Sequence, residues 1–368
     1  MGARTIGDYP RSLAEFQRRF STEEACVRYV VETRWPDGFR CVWCGSANAR
    51  LLTTRRVWQC RDCRRQTRLT AGTILERTHL ALPTWFAAAY LMTSVKPGIS
   101  ALQLSHQLEI SLKTAWLLLH KLRRAMVDPA RGKLTGEVEV DETWIGGRQA
   151  GLKGGRQRRG RKALLVALAV ERRYKAPRAD GRPHAQPIYL GRLRAEIVPD
   201  ASQATLTAFL ERNVEPGSTI ISDAWQGYRG LSTSSFNHQA ISQSAMQRAG
   251  FDPDAVPGVH RVIGNLKAWL LGTYHGVGAD HLDHYLDEFI FRFNRRFYPM
   301  AGFATLLRLG SELPPTPLVE ISSPLLAGAT ARRRGRSTGL TSARFSHQIS
   351  ESTSLEEALA KLTKELPA

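Results

Sequence analysis

Val138-Glu139-Val140-Asp141-Glu142-Thr143 is a β-branched apolar run that reaches a carboxylate, and Ile220-Ile221-Ser222-Asp223-Ala224-Trp225 is a second. Short runs of this composition mark strands rather than helices. An aspartate at or just past a strand end is how a sheet presents a divalent-metal ligand at its edge. Two such ends brought together would make a magnesium site for phosphoryl transfer. For either residue alone, a capping or turn aspartate is the plainer reading.

The surroundings extend the strand pattern. Apolar, partly alternating stretches predict strands over 137–145, 162–170, 188–198 and 219–223, and a further one over 236–241. Helical spacing predicts helices over 202–213, 261–273 and 281–296. Three strands, a helix, another strand and later helices describe a layered α/β domain. A ribonuclease-H-like domain has this order, and there the first strand and a later neighbouring strand both end in aspartates. Metal ions held between them activate a water or a DNA 3′-hydroxyl during in-line attack on a phosphodiester.

The chain has 368 residues, a formal net charge of +19 and a sequence pI of about 10.3, with 42% hydrophobic residues. This composition fits a folded protein with a polyanionic partner, nucleic acid first. A membrane surface is the competing partner, but no basic amphipathic helix or lipidation motif stands out. No signal peptide is evident, and the apolar stretch from Trp85 to Val95 is about half the length of a bilayer span. The expected compartment is a reducing cytoplasm, at the nucleoid, with no membrane partner. Residues 148–162 hold seven basic residues, four glycines and no acid. Such a loop follows a phosphate backbone, with Arg156, Arg158, Arg159 and Arg161 as contacts. A merely solvated loop is the alternative.

Cys41-Val-Trp-Cys44 and Cys60-Arg-Asp-Cys63 stand fifteen residues apart. In a reducing compartment, two such pairs predict a tetrahedral four-cysteine zinc ribbon, with zinc structural. Its basic decoration leaves open DNA contact, protein contact or a purely structural knob. Cys26 falls in a helix and reads as a small buried hydrophobe; Ser21 reads as that helix's N-cap. Downstream, Ser100 and Ser111 open two helices joined by a tight turn. On the second, Ala115, Leu118, Leu122 and Met126 make one apolar stripe, and Lys113, Thr114, His120, Lys121, Arg123 and Arg124 lie off it. This is the pattern of a helix-turn-helix whose second helix reads a major groove, with Lys113, Lys121 and Arg124 as DNA contacts. An ordinary amphipathic pair would share it.

Longer motifs carry a resemblance. The segments Trp58–Thr67 and Thr70–Ile74 resemble the zinc-ribbon end of a group of bacterial insertion-sequence transposases with an ISXO-type catalytic domain. Asp141–Gly147 and Ser222–Tyr228 are similar to its first two catalytic motifs, and Asn265–His275 and Tyr285–Arg296 to its final helices. The likeness runs over about residues 10–312. It implies a DDE-type transposase that binds the terminal inverted repeats of its element in double-stranded DNA. The enzyme would nick those ends by metal-dependent hydrolysis and transfer the 3′-hydroxyls to target DNA, working as a homodimer or higher oligomer. Asp141 and Asp223 would be metal-binding and catalytic, using Mg²⁺ or Mn²⁺. The third position falls on Asn265, a neutral ligand where most such enzymes carry glutamate. Glu142, Asp287 or Glu288 are alternative carboxylates, though a regular strand turns Glu142 to the opposite face. Lys267 would contact phosphate.

The expected organisation is therefore an α/β protein: an N-terminal helix and zinc ribbon over 10–82, a helix-turn-helix region over 83–128, a ribonuclease-H-like catalytic domain over 136–312, and a basic disordered tail with a short terminal helix over 313–368. A non-catalytic DNA-binding regulator that is a decayed copy, and a hydrolytic nuclease of the same fold, remain alternatives to the transposase.

Overall fold

The computed structural model describes residues 9–52, 57–146, 163–176, 178–179, 182–233, 235–242, 248 and 256–322. In chain order the elements are α1 (Leu13–Arg19), α2 (Glu23–Arg34), β1 (Ala49–Leu52), β2 (Val57–Cys60), β3 (Gln66–Arg68), α3 (Leu82–Ser94), α4 (Ala101–Gln107) and α5 (Leu112–Ala125). Then follow β4 (Glu137–Ile145), β5 (Leu164–Tyr174), β6 (Ile188–Val198), α6 (Gln203–Asn213), β7 (Thr219–Asp223), β8 (Asn237–Ile241), α7 (Pro257–Tyr274), α8 (Leu282–Asn294), α9 (Ala301–Glu312) and α10 (Leu318–Ser322). No helix among the described residues is long and apolar enough to cross a membrane.

Two compact units result. The first holds the described residues up to Met126 together with Phe297–Ser322. Helices α1, α4 and α5 start on side-chain caps: Ser12 Oγ accepts from the Glu15 amide, and Ser100 and Ser111 accept from Gln103 and Thr114. The cap of α2 is Thr22, not Ser21, because Thr22 is the extended residue whose hydroxyl accepts from Ala25, at 3.3 Å. Chain order groups α9 with the strands, but it packs in this first unit. Its Phe303 lies 5.7 Å from Phe16 and 5.4 Å from Phe20, ring centre to ring centre, in an aromatic cluster that also takes in Tyr90 and Phe86. Beyond Leu313, where the sequence reads as disordered, α10 forms and buries Ile321. The rest of the tail lies outside the described residues.

The second unit, Val127–Arg296, is a five-stranded sheet in the order β6-β5-β4-β7-β8. The β6, β5 and β4 strands pair antiparallel; β4 with β7 and β7 with β8 pair parallel. β5 is apolar on both faces because both are covered. Leu165, Ala167 and Ala169 join Leu206, Phe209 and Leu210 of α6 in one core. Val166, Leu168 and Val170 join Val259, Val262 and Leu266 of α7 and Leu286 and Ile290 of α8 in the other. The strands over 137–145, 188–198 and 219–223 have the predicted limits; β5 runs four residues further than predicted.

One buried acid pins the antiparallel half. Glu171 is 1% exposed and accepts from the Thr135 amide, the Arg192 amide and guanidinium, and Arg173. Burial alone would raise its carboxyl, but the hydrogen bonds from Arg192 and the others pull it down to about 2. A depressed carboxyl stabilises the fold above the ordinary carboxylate range and loses that contribution as pH falls toward 2. Glu171→Gln should therefore destabilise the chain at pH 6 by on the order of 3 kcal/mol, and by distinctly less at pH 3. Denaturant unfolding at the two pH values measures this; an equal loss at both would contradict it.

Candidate functional site

Strand alternation decides which side chains meet. Val138 and Val140 point into the α6 core, so Glu139 and Asp141 point to the α7 side. On β7, Ile220 belongs to the α6 core and Ile221 to the other, which puts Asp223 on the α7 side too. The parallel register pairs Glu137 with Thr219, Val138 with Ile220 and Glu139 with Ile221. Carried two residues on, it sets Asp141 beside Asp223 on one face. Neighbouring strands lie about 4.8 Å apart, so the two acids stand on adjacent strands at one edge of the sheet. The Trp225 amide donates to Asp223 Oδ1 at 3.2 Å and steadies that carboxylate. Oxygen donors of this kind fit a hard divalent cation, and Asp141 and Asp223 would hold it.

Helix α7 lies over this face, and its start is fixed by Glu139. That carboxylate, 2% exposed, accepts from the Val259 amide at 3.0 Å and from Arg172 at 2.7 Å. Gly258 allows the approach, since a Cβ there would stand 2.7 Å from the same carboxylate. The next residue, His260, brings Nε2 to 3.2 Å from Asp141 Oδ2. Sequence reasoning missed both Glu139 and His260. A lone histidine in an apolar helix has no pattern to announce it; only the strand–helix contact does.

The remaining residues sort by face. Glu142 is buried on the α6 side and accepts from Tyr228 Oη at 2.8 Å, as regular alternation requires. The Tyr228 hydroxyl is pushed well above its ordinary range by burial first and then by Glu142, Asp141 and Asp223. Glu288 is buried against Tyr274 and Arg292, and Asp287 is buried on the same helix. Asn265 and Lys267 are exposed on α7. At 3.6 residues per turn, Asn265 lies roughly 140° round the helix from His260, whereas Lys267 returns to within roughly 20°. Lys267 therefore shares the flank that meets Asp141.

The zinc-ribbon sulfurs converge. All four Sγ atoms of Cys41, Cys44, Cys60 and Cys63 lie within 4.8 Å of one another, with Cys41–Cys63 and Cys44–Cys60 each at 3.6 Å. Zinc–sulfur bonds of about 2.3 Å give tetrahedral edges of about 3.8 Å, so the set fits zinc. The two knuckles repeat each other: the Cys41 amide donates to Ser46 O and the Cys60 amide to Arg65 O. Gly45 and Arg64 occupy the same left-handed position, at φ 74° and 60°. Amide hydrogen bonds, that from Cys63 first, hold the Cys60 thiol down to about 7. Phe39 stacks on Trp58 beneath the cluster, at 4.8 Å. Cys26, as read, is fully buried, and burial pushes its thiol up to about 12.

On α5 the predicted stripe is buried, but so are His120 and Arg123, which the sequence put on the polar faces. The helix is covered by α3 and α9 as well as α4, so its buried side is wider than one stripe. Lys113 is exposed; Lys121 and Arg124 are half-buried. The Lys121 ammonium sits 6.0 Å from the Trp85 ring centre, and burial lowers its pKa. Glu109, at φ 52°, makes the turn between α4 and α5. Arg156, Arg158, Arg159 and Arg161 lie outside the described residues.

Residues 133–294 match the ISXO2-like transposase domain, and residues 21–66 match a transposase zinc-ribbon domain. An uncharacterized protein in transposable element ISH50 of Halobacterium salinarum is 32% identical over 140 residues, 37% of this chain and 46% of that protein. The match thus spans less than half of that relative. An uncharacterized transposase-like protein of Haemophilus influenzae is 28% identical over 98 residues, 27% of this chain and 77% of that protein. No solved structure matches the chain.

Elemental analysis of the purified chain should find zinc at one ion per molecule. Cys60→Ser should lose the ion and open 39–70 to protease, because so small a module has too little core to fold without metal. Cys26→Ser should keep it. Full zinc occupancy in Cys60→Ser would contradict the assignment.

Proposed function

The chain belongs to the transposases that carry an ISXO2-like domain behind a zinc ribbon, and from that premise we propose that it cuts the ends of its element and joins their 3′-hydroxyls to target DNA. The observation that carries this reading is the β4–β7 register, which sets Asp141 beside Asp223 on the face that α7 covers. The strand order β6-β5-β4-β7-β8, antiparallel in its first half and parallel in its second, supports a ribonuclease-H-like fold.

Asp141 and Asp223 would hold Mg²⁺ or Mn²⁺. Such ions, when bound, activate a water or 3′-hydroxyl and stabilise the leaving oxygen. The protein side of the reaction is positioning. The Trp225 amide orients Asp223, and the Glu139 anchor fixes the helix over Asp141. Asn265 is the third residue by resemblance; its amide oxygen is a neutral donor and accepts no proton. Lys267, exposed on the Asp141 flank of α7, is suited to a phosphate of the bound strand. Buried Glu142 and Glu288 have other partners, which supports a site with two carboxylates rather than three.

DNA binding divides between modules. The α4–α5 pair acts as the helix-turn-helix, with exposed Lys113 in the first turn of α5 as its clearest contact, and Lys121 and Arg124 at the half-buried margin. The basic run Arg156–Arg161 tracks backbone phosphates without reading sequence. Two element ends call for at least two copies of the chain.

Strand transfer measures the proposal directly, with element-end oligonucleotides, plasmid target and Mg²⁺ or Mn²⁺. Asp141→Ala and Asp223→Ala should each lower joining at least about 100-fold. Asn265→Ala should fall steeply, with Asn265→Asp and Asn265→Glu keeping part of the activity. Cutting without joining would favour a nuclease, and binding with no cleavage under either metal would sink the catalytic reading. Lys113→Ala should keep cleavage chemistry but reduce the salt slope of DNA binding by about one; an unchanged slope would remove Lys113 from the interface.

A further inference from the structure

We infer that His260 is a protein ligand of the catalytic metal site, binding through Nε2 beside Asp141. The inference rests on the proposed Asp141–Asp223 site and adds a donor that the sequence motifs do not assign.

Three observations carry it. The first is distance. Nε2 of His260 and Oδ2 of Asp141 stand 3.2 Å apart. Metal–donor bonds of about 2.1 Å put adjacent donors on an octahedral ion about 3.0 Å apart. The pair therefore already has nearly the spacing of two neighbours in one coordination sphere. The second is how firmly the histidine is placed. Its backbone follows directly on Val259, whose amide is held by Glu139, and Glu139 is held by Arg172. A ligand is best held on a fixed backbone, and the Glu139–Arg172 anchor supplies that one residue before His260. The third is access. The His260 side chain is 35% exposed and Asp141 13%. One turn along the same flank, a Cβ at Gly264 would meet nothing within 4 Å.

The helix geometry gives the inference its edge. Asn265 lies roughly 140° round α7 from His260, so the two do not approach Asp141 from the same side. The residue seen at hydrogen-bond distance from Asp141 is His260. An imidazole nitrogen also changes what the site prefers. All-oxygen sites suit Mg²⁺, whereas a nitrogen donor favours Mn²⁺ and later transition metals. Manganese should therefore bind this chain more tightly than magnesium by a margin that depends on His260.

Binding of Mn²⁺ to the full-length, zinc-loaded chain tests this without any turnover. Continuous-wave electron paramagnetic resonance gives the Kd from free Mn²⁺, and pulsed measurement reports ¹⁴N coupled to the bound ion. The wild type should show that coupling. His260→Ala should lose it and bind Mn²⁺ at least about tenfold more weakly, with Mg²⁺ competition changed less. Asn265→Ala should retain the coupling. Circular dichroism and zinc content verify that the His260→Ala chain is folded, and His260→Gln, which keeps a hydrogen-bonding group of similar reach, should also lose the coupling. A wild type without ¹⁴N coupling, or a His260→Ala chain that keeps both coupling and affinity, overturns the inference while leaving the carboxylate site standing. Asp141→Asn and Asp223→Asn chains that bind Mn²⁺ like the wild type overturn the carboxylate site itself, and the role of His260 with it.

Discussion

The parallel pairing of β4 with β7 sets the geometry on which the strand domain depends. Its register is fixed by burial rather than by the acids it aligns. Val138, Val140 and Ile220 fill the α6 core, and Ile221 fills the other. Sliding β4 by one residue would turn two valines out of a closed core and bury Glu139 and Asp141 in their place. Each aliphatic side chain left unburied costs about 1.5–3 kcal/mol, before the desolvation of any carboxylate. The apolar residues between the acids thus hold the acids in line.

The chain sets 33 acids against 52 basic residues, and several of the acids are used inside. Glu139, Glu142, Glu171, Asp287 and Glu288 are all buried among the described residues of the second unit. There they anchor strands, tie down a helix start or receive a tyrosine. Pairing with arginine keeps these burials close to neutral, as for Glu139 with Arg172 and Glu171 with Arg192, so they leave the chain's net charge of +19 to the residues that face solvent.

Strands were the most legible part of the sequence. β4, β6 and β7 have the limits their β-branched runs predict, because each run stops at a glycine, aspartate or proline. The alternation in Val138–Glu142 also gave the facing of Asp141 and Glu142 before any fold was available. The four cysteines were equally plain, since their spacing is the geometry. What sequence could not give was anything that depends on packing from two sides. His120 and Arg123 read as solvent-facing because one stripe on α5 was visible and the second covering layer was not. Helix α9 read as part of the strand domain because chain order says nothing of where Phe303 finds its aromatic partners. Glu139 was in plain view as one of the letters of the first motif. Its use appears only when the Val259 amide, 120 residues on, arrives at its carboxylate.

The same anchor makes α7 a strut that is clamped along its length. Eighteen residues extend about 27 Å. Glu139 and Arg172 hold the first turn, and Leu266 and Leu270 bury the later turns in the core shared with β5. A tilt of about 10° about Val259 would carry Tyr274 about 4 Å and pull those leucines from their contacts. Load on the exposed side of the helix is therefore passed to the sheet as a whole, and the spacing between His260 and Asp141 is kept.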